Sequence, residues 1–321
     1  MLSLLNVAEP SGQAPKPPKV TALVVSYNRK ALLRRAIEAL DASESRDLFE
    51  ILVVDNGSTD TTSERLSRYV NRIRILHEDT RGAAAARNAG TRHARGELLA
   101  FTDADCVAAH DWLVNLIAPL SDRSVGISGG AIHSKERCSR IEAFGQRLYD
   151  QRAAITGSPP YAITANWASR ARVLKDVGWF DESMIRGQDY DLAQRILKAG
   201  YRVAYCEEAR VRISTPRTFS ELFLKGIQHG HAIALVEKKD SSSTPAGTPL
   251  TTTLMRQVIR NSLRSIFGND RFDAFCAAIF NAGKLVGKIG WAIGDARFPH
   301  GLTSHRRRRK IERTSSREPS E

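Results

Sequence analysis

The sequence predicts an α/β fold: a mostly parallel central sheet flanked by helices, with a carboxyl-terminal helical extension. Three observations predict it. Short β-rich apolar runs alternate with helix-period segments through the first hundred residues, the pattern of βαβ units. Three of those runs end in polar clusters, Ser26-Tyr27-Asn28, Asp55-Asn56-Gly57-Ser58 and Thr102-Asp103, as strands do where their carboxyl ends face a ligand. Beyond residue 253 the pattern changes to basic amphipathic helix.

Taken in order, residues 1–18 end in Pro15-Lys16-Pro17-Pro18 and read as a flexible leader. Residues 20–26 form the first strand. Leu32, Leu33, Ala36, Ile37 and Leu40 then recur at helical spacing, so 29–42 is a helix. Strands follow at 50–54 and 74–76, with a helix over 61–70 between them. The alanine-rich 82–94 is helical and leads into a strand from Leu98. The middle is less regular. Residues 125–132 read as a strand kinked at Gly129-Gly130, 161–169 as another, and 170–178 as a short helix. An amphipathic helix over 189–199 stops at Gly200, a strand covers 201–206, and 218–238 is helical. One α/β domain thus spans 19–238. The Ser, Thr and Pro-rich 239–253 is a linker. Residues 254–304 form the basic extension, with helices near 254–268 and 271–293, and 305–321 is a disordered basic tail.

The 321 residues carry a net charge of +13. From residue 251 onward there are 14 Lys/Arg against 6 Asp/Glu, so the last fifth of the chain holds most of the surplus. Arg306-Arg307-Arg308-Arg309-Lys310 suits a nucleic acid or anionic lipid headgroups, or is simply a solvated tail. Base-stacking aromatics are absent from 305–321, so no nucleic-acid partner is expected. No apolar run reaches membrane-spanning length and no secretory signal pattern is present. Cys106, Cys138, Cys206 and Cys276 are widely spaced, as in reduced cytosolic proteins, and offer no zinc pattern. A cytoplasmic protein is expected, with the inner face of the cell membrane as a second setting. The stretch 272–293 sets Lys284 and Lys288 among Phe275, Ile279, Leu285, Val286, Ile289 and Trp291. Such a helix can lie in a membrane interface or pack on the α/β domain.

The most informative stretch is Leu98 to Cys106, where an apolar run stops at Asp103-Ala104-Asp105. Positions i and i+2 of an extended chain share a face, so both carboxylates can converge. A divalent cation such as Mg²⁺ suits them, since it takes one or two carboxylates and completes its shell with water and phosphate oxygens. A turn merely capped by the aspartates is the plain alternative. Asp55 sits where a dinucleotide-binding fold keeps its ribose acid, but Tyr27-Asn28-Arg29-Lys30 replaces any glycine-rich phosphate loop. A dehydrogenase is therefore disfavoured, and a nucleotidyltransferase for the same reason.

Further segments occur in a telling order. Val25-Ser26-Tyr27-Asn28-Arg29, Val53 to Asp60, Arg81-Gly82, Ala86-Arg87-Asn88-Ala89-Gly90 and Phe101 to Asp105 are followed by Asn166-Trp167-Ala168, Val177 to Glu182 and Gly187-Gln188-Asp189-Tyr190-Asp191-Leu192. Over residues 19–235 the chain resembles family 2 glycosyltransferases, which have the GT-A fold. The resemblance implies an inverting, metal-dependent enzyme that moves a sugar from a nucleotide-sugar donor, a UDP-sugar favoured, to a glycan or lipid-linked acceptor. It implies that Asp105, with Asp103, holds Mg²⁺ or Mn²⁺, and that Tyr27, Asp55, Arg81 and Asp103 bind the nucleotide. Asp189 is then the general base, with Gln188 and Trp167 on the acceptor side. Trp167 also reads as core, Asp189 as a helix cap, and Arg87 as a solvated charge. Asp191 is expected to hold local structure.

Two departures stand out. Gln188 replaces the usual glutamate, and Ala209 to Ser214 lacks the histidine often found after the base helix. His229 or His231 would then be the substitute metal ligand. Outside enzymology, two readings compete: an inactive GT-A scaffold that only binds, and a basic nucleic-acid-binding protein.

Overall fold

A computed structural model describes residues 19–69, 71–134, 139–240, 250–267 and 270–292. The leader, the basic tail and Cys138 lie outside them. Eight strands form one sheet: β1 (Val20–Ser26), β2 (Phe49–Asp55), β3 (Arg74–His77), β4 (Leu98–Asp103), β5 (Cys106–Ala108), β6 (Val125–His133), β7 (Asn166–Arg170) and β8 (Arg202–Ile213). Their order is β3-β2-β1-β4-β7-β6-β8-β5. β3, β2, β1 and β4 are mutually parallel. β7 then runs antiparallel to β4 and β6, β8 parallel to β6, and β5 antiparallel to β8. The α/β class expected from the sequence is present, with a parallel half and a mixed half.

Register places the site. Ser26 pairs with Asp55, and Val25 with Asp103, so three polar strand ends share one edge. Helices cover both faces, which is why the strands are apolar nearly throughout. On one face Val20, Ala22 and Val24 of β1 pack with Leu33, Ile37 and Leu40 of α1 (Lys30–Asp41) and Trp112, Leu113 and Leu116 of a second helix. On the other, Leu23, Leu52 and Leu99 meet alanines 84, 86 and 89 of an alanine-rich helix, plus Leu192, Ala193 and Ile196.

The remaining helices are α2 (Thr62–Leu66), α3 (Ala83–His93), α4 (Trp112–Ile117), α5 (Arg140–Gln146), α6 (Gln151–Thr156), α7 (Ala171–Asp176), α8 (Gln188–Lys198), α9 (Phe219–Asp240), α10 (Leu250–Phe267) and α11 (Arg271–Ala292). Three expectations are corrected. The strand over 161–169 begins only at Asn166, because Tyr161, Ile163, Thr164 and Ala165 line the cleft described below. β8 extends to Ile213, well beyond 206. Its exposed side, with Arg202, Glu207, Arg210 and Arg212, hides the apolar Ala209, Val211 and Ile213 that face inward. Residues 239–240 still belong to α9 and 250–253 to α10, while 241–249 are not described.

The extension is packed, not loose. α11 lies along α9, and α10 along α11. Gly226 and Gly230 of α9 face Gly283 and Gly287 of α11 at backbone contact. A Cβ on Gly230 would sit 2.0 Å from the Lys284 carbonyl oxygen, and one on Gly287 2.1 Å from that of Ile227. Small residues four apart let two helix backbones approach this closely. Of the two arrangements open for 272–293, packing on the domain is therefore the observed one. No helix among the described residues is long and apolar enough to cross a membrane.

Candidate active site

The strand ends open into a cleft of about 930 Å³, walled on the far side by the segment before α8 and by α9. Local structure holds its rim with asparagines. The Asn28 side chain accepts from the Thr59 amide at 2.8 Å, with its own backbone in the left-handed region at φ 51. Asn56 donates to the Glu78 and Thr80 carbonyls (3.1 and 2.7 Å) and accepts from the Gly82 amide (2.8 Å). That clamp presents Arg81, whose Nη1 donates to the Tyr27 hydroxyl at 2.8 Å and whose guanidinium lies 5.2 Å from the Tyr27 ring centre. Asn88 on α3 reaches across the sheet. It donates to the Phe180 carbonyl and to Glu182, and accepts from the Phe180 amide at 3.0 Å.

Asp55 is fully buried beneath this rim. Its Oδ1 accepts from the Ser58 amide at 3.2 Å and its Oδ2 lies 3.6 Å from His77 Nδ1. It does not line the cleft itself; Asn56 beside it does. Asp103, the last residue of β4, and Asp105, in the turn that follows, lie on the cleft floor. Asp103 accepts from Arg87 Nη2 at 3.0 Å. Arg87 is 8% exposed and set over the Phe180 ring, so it is an interior ion pair and not a solvated charge. The Asp105 carboxyl titrates above its ordinary range, first because of burial and then because of the Asp103 charge; Arg29 and Lys225 oppose the rise.

Asp189 stands on the opposite wall, second residue of α8. Gly187 before it adopts φ 74, a left-handed turn that favours glycine and starts the helix at the cleft. Burial raises the Asp189 carboxyl, while the Arg87 charge and the Tyr190 and Thr164 amides pull it down. Gln188, 6% exposed, lines the same wall. Asp191 turns away, pairing with Arg195 at 2.8 Å and Lys239 at 2.6 Å, as its expected structural role requires.

One placement is corrected. Trp167 is 1% exposed, stacks on Phe101 at 5.2 Å and meets Phe180 edge-on. It sits mid-sheet on β7, so it is core and cannot offer a face to a sugar. Tyr161 and Tyr190, edge to face at 5.6 Å, are the aromatics that line the cleft near Asp189. His229 also lines the cleft. Burial, then Lys225, Lys284 and Arg186, depress its pKa to about 3. Among the described residues no three His, Cys, Asp or Glu side chains are grouped to hold a metal, so neither His229 nor His231 completes a protein ligand set with the two aspartates. Sequence reasoning missed Tyr161, Arg186, Lys225 and Gln228, which reach the cleft from segments far apart in the chain.

Comparison with known proteins agrees with this geometry. Residues 21–178 match the family described as Glycosyl transferase family 2. The glycosyltransferase AglE of Haloferax volcanii is 29% identical over 66% of this chain and 72% of its own length. A pre-mycofactocin glycosyltransferase of Mycobacterium tuberculosis is 30% identical over 60% of this chain and 43% of its own. Among solved structures, the Pyrobaculum calidifontis mannosyltransferase PcManGT, bound to GDP-mannose and Mn²⁺, superimposes with a TM-score of 0.56. It is 22% identical, and the match covers 97% of this chain and 85% of that one. Glucosyl-3-phosphoglycerate synthase of M. tuberculosis gives 0.50 at 18% identity, over 72% of this chain and 82% of its own. Residues 21–178 thus carry the family 2 glycosyltransferase sequence on a GT-A architecture, and the chain is a glycosyltransferase.

Proposed function

We propose that this glycosyltransferase is metal-dependent and inverting, with a nucleotide-sugar donor and a glycan or lipid-linked acceptor. The observation that carries the reading is one cleft lined by Asp103 and Asp105 on its floor, Asp189 on the facing wall, and Tyr27 and Arg81 at the rim.

The residues suit a divalent cation. Two carboxylates two residues apart face the cleft, and burial, then the Asp103 charge, makes ionisation of Asp105 costly, a cost that a dication relieves. Asp105 and Asp103 would hold Mg²⁺ or Mn²⁺, with donor phosphates completing the shell; Mn²⁺ accompanies the donor in the mannosyltransferase neighbour. A dication held there would supply positive charge against a diphosphate leaving group. Tyr27 and Arg81 would flank the nucleotide base, with Asp55 buried behind Asn56 and holding the Ser58 turn beneath it. Asp189, ionised, takes the proton of the acceptor hydroxyl as that oxygen attacks the anomeric carbon. A single displacement of this kind inverts the anomeric centre. The glutamine at 188 keeps the base's neighbour neutral and touches the acceptor.

The setting proposed is the cytoplasmic membrane face. Support comes from α10, which carries no acidic residue. Met255, Ile259 and Leu263 are 50%, 60% and 53% exposed and recur every four residues beside Arg256, Arg260 and Arg264. An apolar stripe edged with arginine fits an anionic lipid surface.

A thermal-shift panel of UDP-, GDP- and dTDP-sugars, with and without Mn²⁺, tests the reading on wild type and Asp105→Ala. A metal-dependent rise for one nucleotide, lost in the variant, is expected because ligands that bind only the native state stabilise it. No rise with any donor points to an inactive scaffold.

A further inference from the structure

Three cations converge on one patch of the acceptor wall, and among the described residues none of them forms an ion pair with a carboxylate. Arg186 precedes the left-handed turn at Gly187, and Lys225 lies on the first half of α9. Both line the cleft. Together with Lys284 from α11 they act on the same neighbour, His229, which they help to keep neutral. Lys225 Nζ sits 4.8 Å from the Tyr149 ring centre and Lys284 Nζ 5.3 Å from that of Phe280. These aromatic faces are the cations' company among the described residues.

Arg186 is the most telling of the three. Burial lowers its pKa, and among the described residues only the Tyr149 phenol opposes the fall. Other arginines withdrawn from water are satisfied by oxygen. Arg87 has Asp103, Arg195 has Asp191 and the carbonyls of Val177 and Trp179, and Arg170 has three carbonyls. Arg186 is half-buried, and a guanidinium drawn from water without an anion is destabilised relative to a paired one. Its planar fork fits two oxygens of a phosphate at once, and Lys225 adds a point charge beside it.

We propose that Arg186 and Lys225 form a phosphate-binding subsite in the cleft, close to Asp189 and distinct from the carboxylate pair. The proposal deepens the reading above and rests on it only for the ligand's source. Two sources share the chemistry. One is a phosphate carried by the acceptor, as in a lipid phosphate. The other is the distal phosphate of the donor, since Lys225 lies near enough to Asp105 to act on its carboxylate.

The test is calorimetric titration of the full chain, wild type, Arg186→Met and Lys225→Met, with four probes: pyrophosphate, UMP, UDP and citronellyl phosphate. Each substitution is expected to weaken phosphate-bearing probes by roughly ten- to a hundredfold, the scale of a lost charge-assisted hydrogen bond. If citronellyl phosphate weakens while UDP does not, the acceptor supplies the phosphate. If UDP and pyrophosphate weaken while UMP does not, the donor supplies it. Unchanged affinities for all probes in folded variants overturn the subsite. The ligand-free melting temperature gives an independent readout. Arg186→Met should match or exceed wild type, because it removes an unanswered buried charge, whereas a clear drop would mean Arg186 is structural and would also overturn the proposal. Failure of the transferase reading looks different: wild type would then bind no nucleotide while still binding pyrophosphate through Arg186.

Discussion

The two walls of the cleft are built differently. On the donor wall, polar groups are answered from within the protein: Asn28, Asn56 and Asn88 each stitch two or three backbone groups, and Asp103 has Arg87. On the acceptor wall, burial penalises the Asp189 charge, and among the described residues Arg186 has no carboxylate partner while Lys225 has only the Asp105 charge acting on it. The donor side is prebuilt, so a ligand there meets fixed geometry. The acceptor side holds unbalanced charge that a ligand completes. On the proposed reading, such a site fixes its leaving group by preorganisation and chooses its acceptor by electrostatics.

The largest break in that contrast is Asp189→Asn. Turnover should fall by at least about 10²-fold, the usual contribution of a positioned base, while calorimetry still finds the donor bound. Equal loss of donor binding would place Asp189 on the wrong wall. The same variant sharpens the electrostatic argument. A carboxyl raised by burial holds more protons in the folded state, so its cost is absent below the unfolded value near 4 and fully present above the folded one. Asp189→Asn should therefore melt higher than wild type at pH 7, with the gain fading as pH falls through the raised folded value and gone below about 4. In wild type the acid limb of kcat/KM should lie above the ordinary carboxylate range.

Next in size is Asn88→Ala. It leaves the Phe180 amide and carbonyl unanswered in the interior, so urea unfolding should show a loss of about 2–3 kcal/mol. Gly230→Leu comes third. Its side chain must push α11 off α9, at a cost of roughly 1–3 kcal/mol, and KM for the acceptor should rise more than KM for the donor because Lys225, Gln228 and His229 ride on α9. The smallest effect on chemistry belongs to Ile259→Asp on α10. Sedimentation with phosphatidylglycerol vesicles should weaken several-fold, with turnover on a water-soluble acceptor unchanged.

The donor wall was legible in sequence because most of its parts lie at the ends of strands, in chain order, and strand ends announce themselves where apolar runs stop. Asp103, Asp105 and Tyr27 are of that kind, whereas Arg81, in the loop between β3 and α3, was marked only by the family resemblance. The acceptor wall was legible only at Gly187-Gln188-Asp189. Tyr149, Tyr161, Arg186 and Lys225 come from a turn, two loops and a long helix, and no local periodicity marks them as neighbours. Trp167 shows the reverse error: a large aromatic within a motif suggested a ligand platform, but its place mid-strand in a sheet covered on both faces made it core. Arg87 looked like a helix-end charge until α3 packed it against Asp103. β8 stayed half hidden because its outer face carries charge.

The glycine contact between α9 and α11 bears on where this enzyme can be cut. A chain ended at residue 238, where the α/β pattern closes, would leave Gly226 and Gly230 facing water along a bare backbone groove. Nothing in the remaining domain could fill that groove, since side chains were omitted there to admit another helix. The smallest active version of this transferase is thus expected to run through residue 292, the far helix serving as a splint for one wall of the cleft.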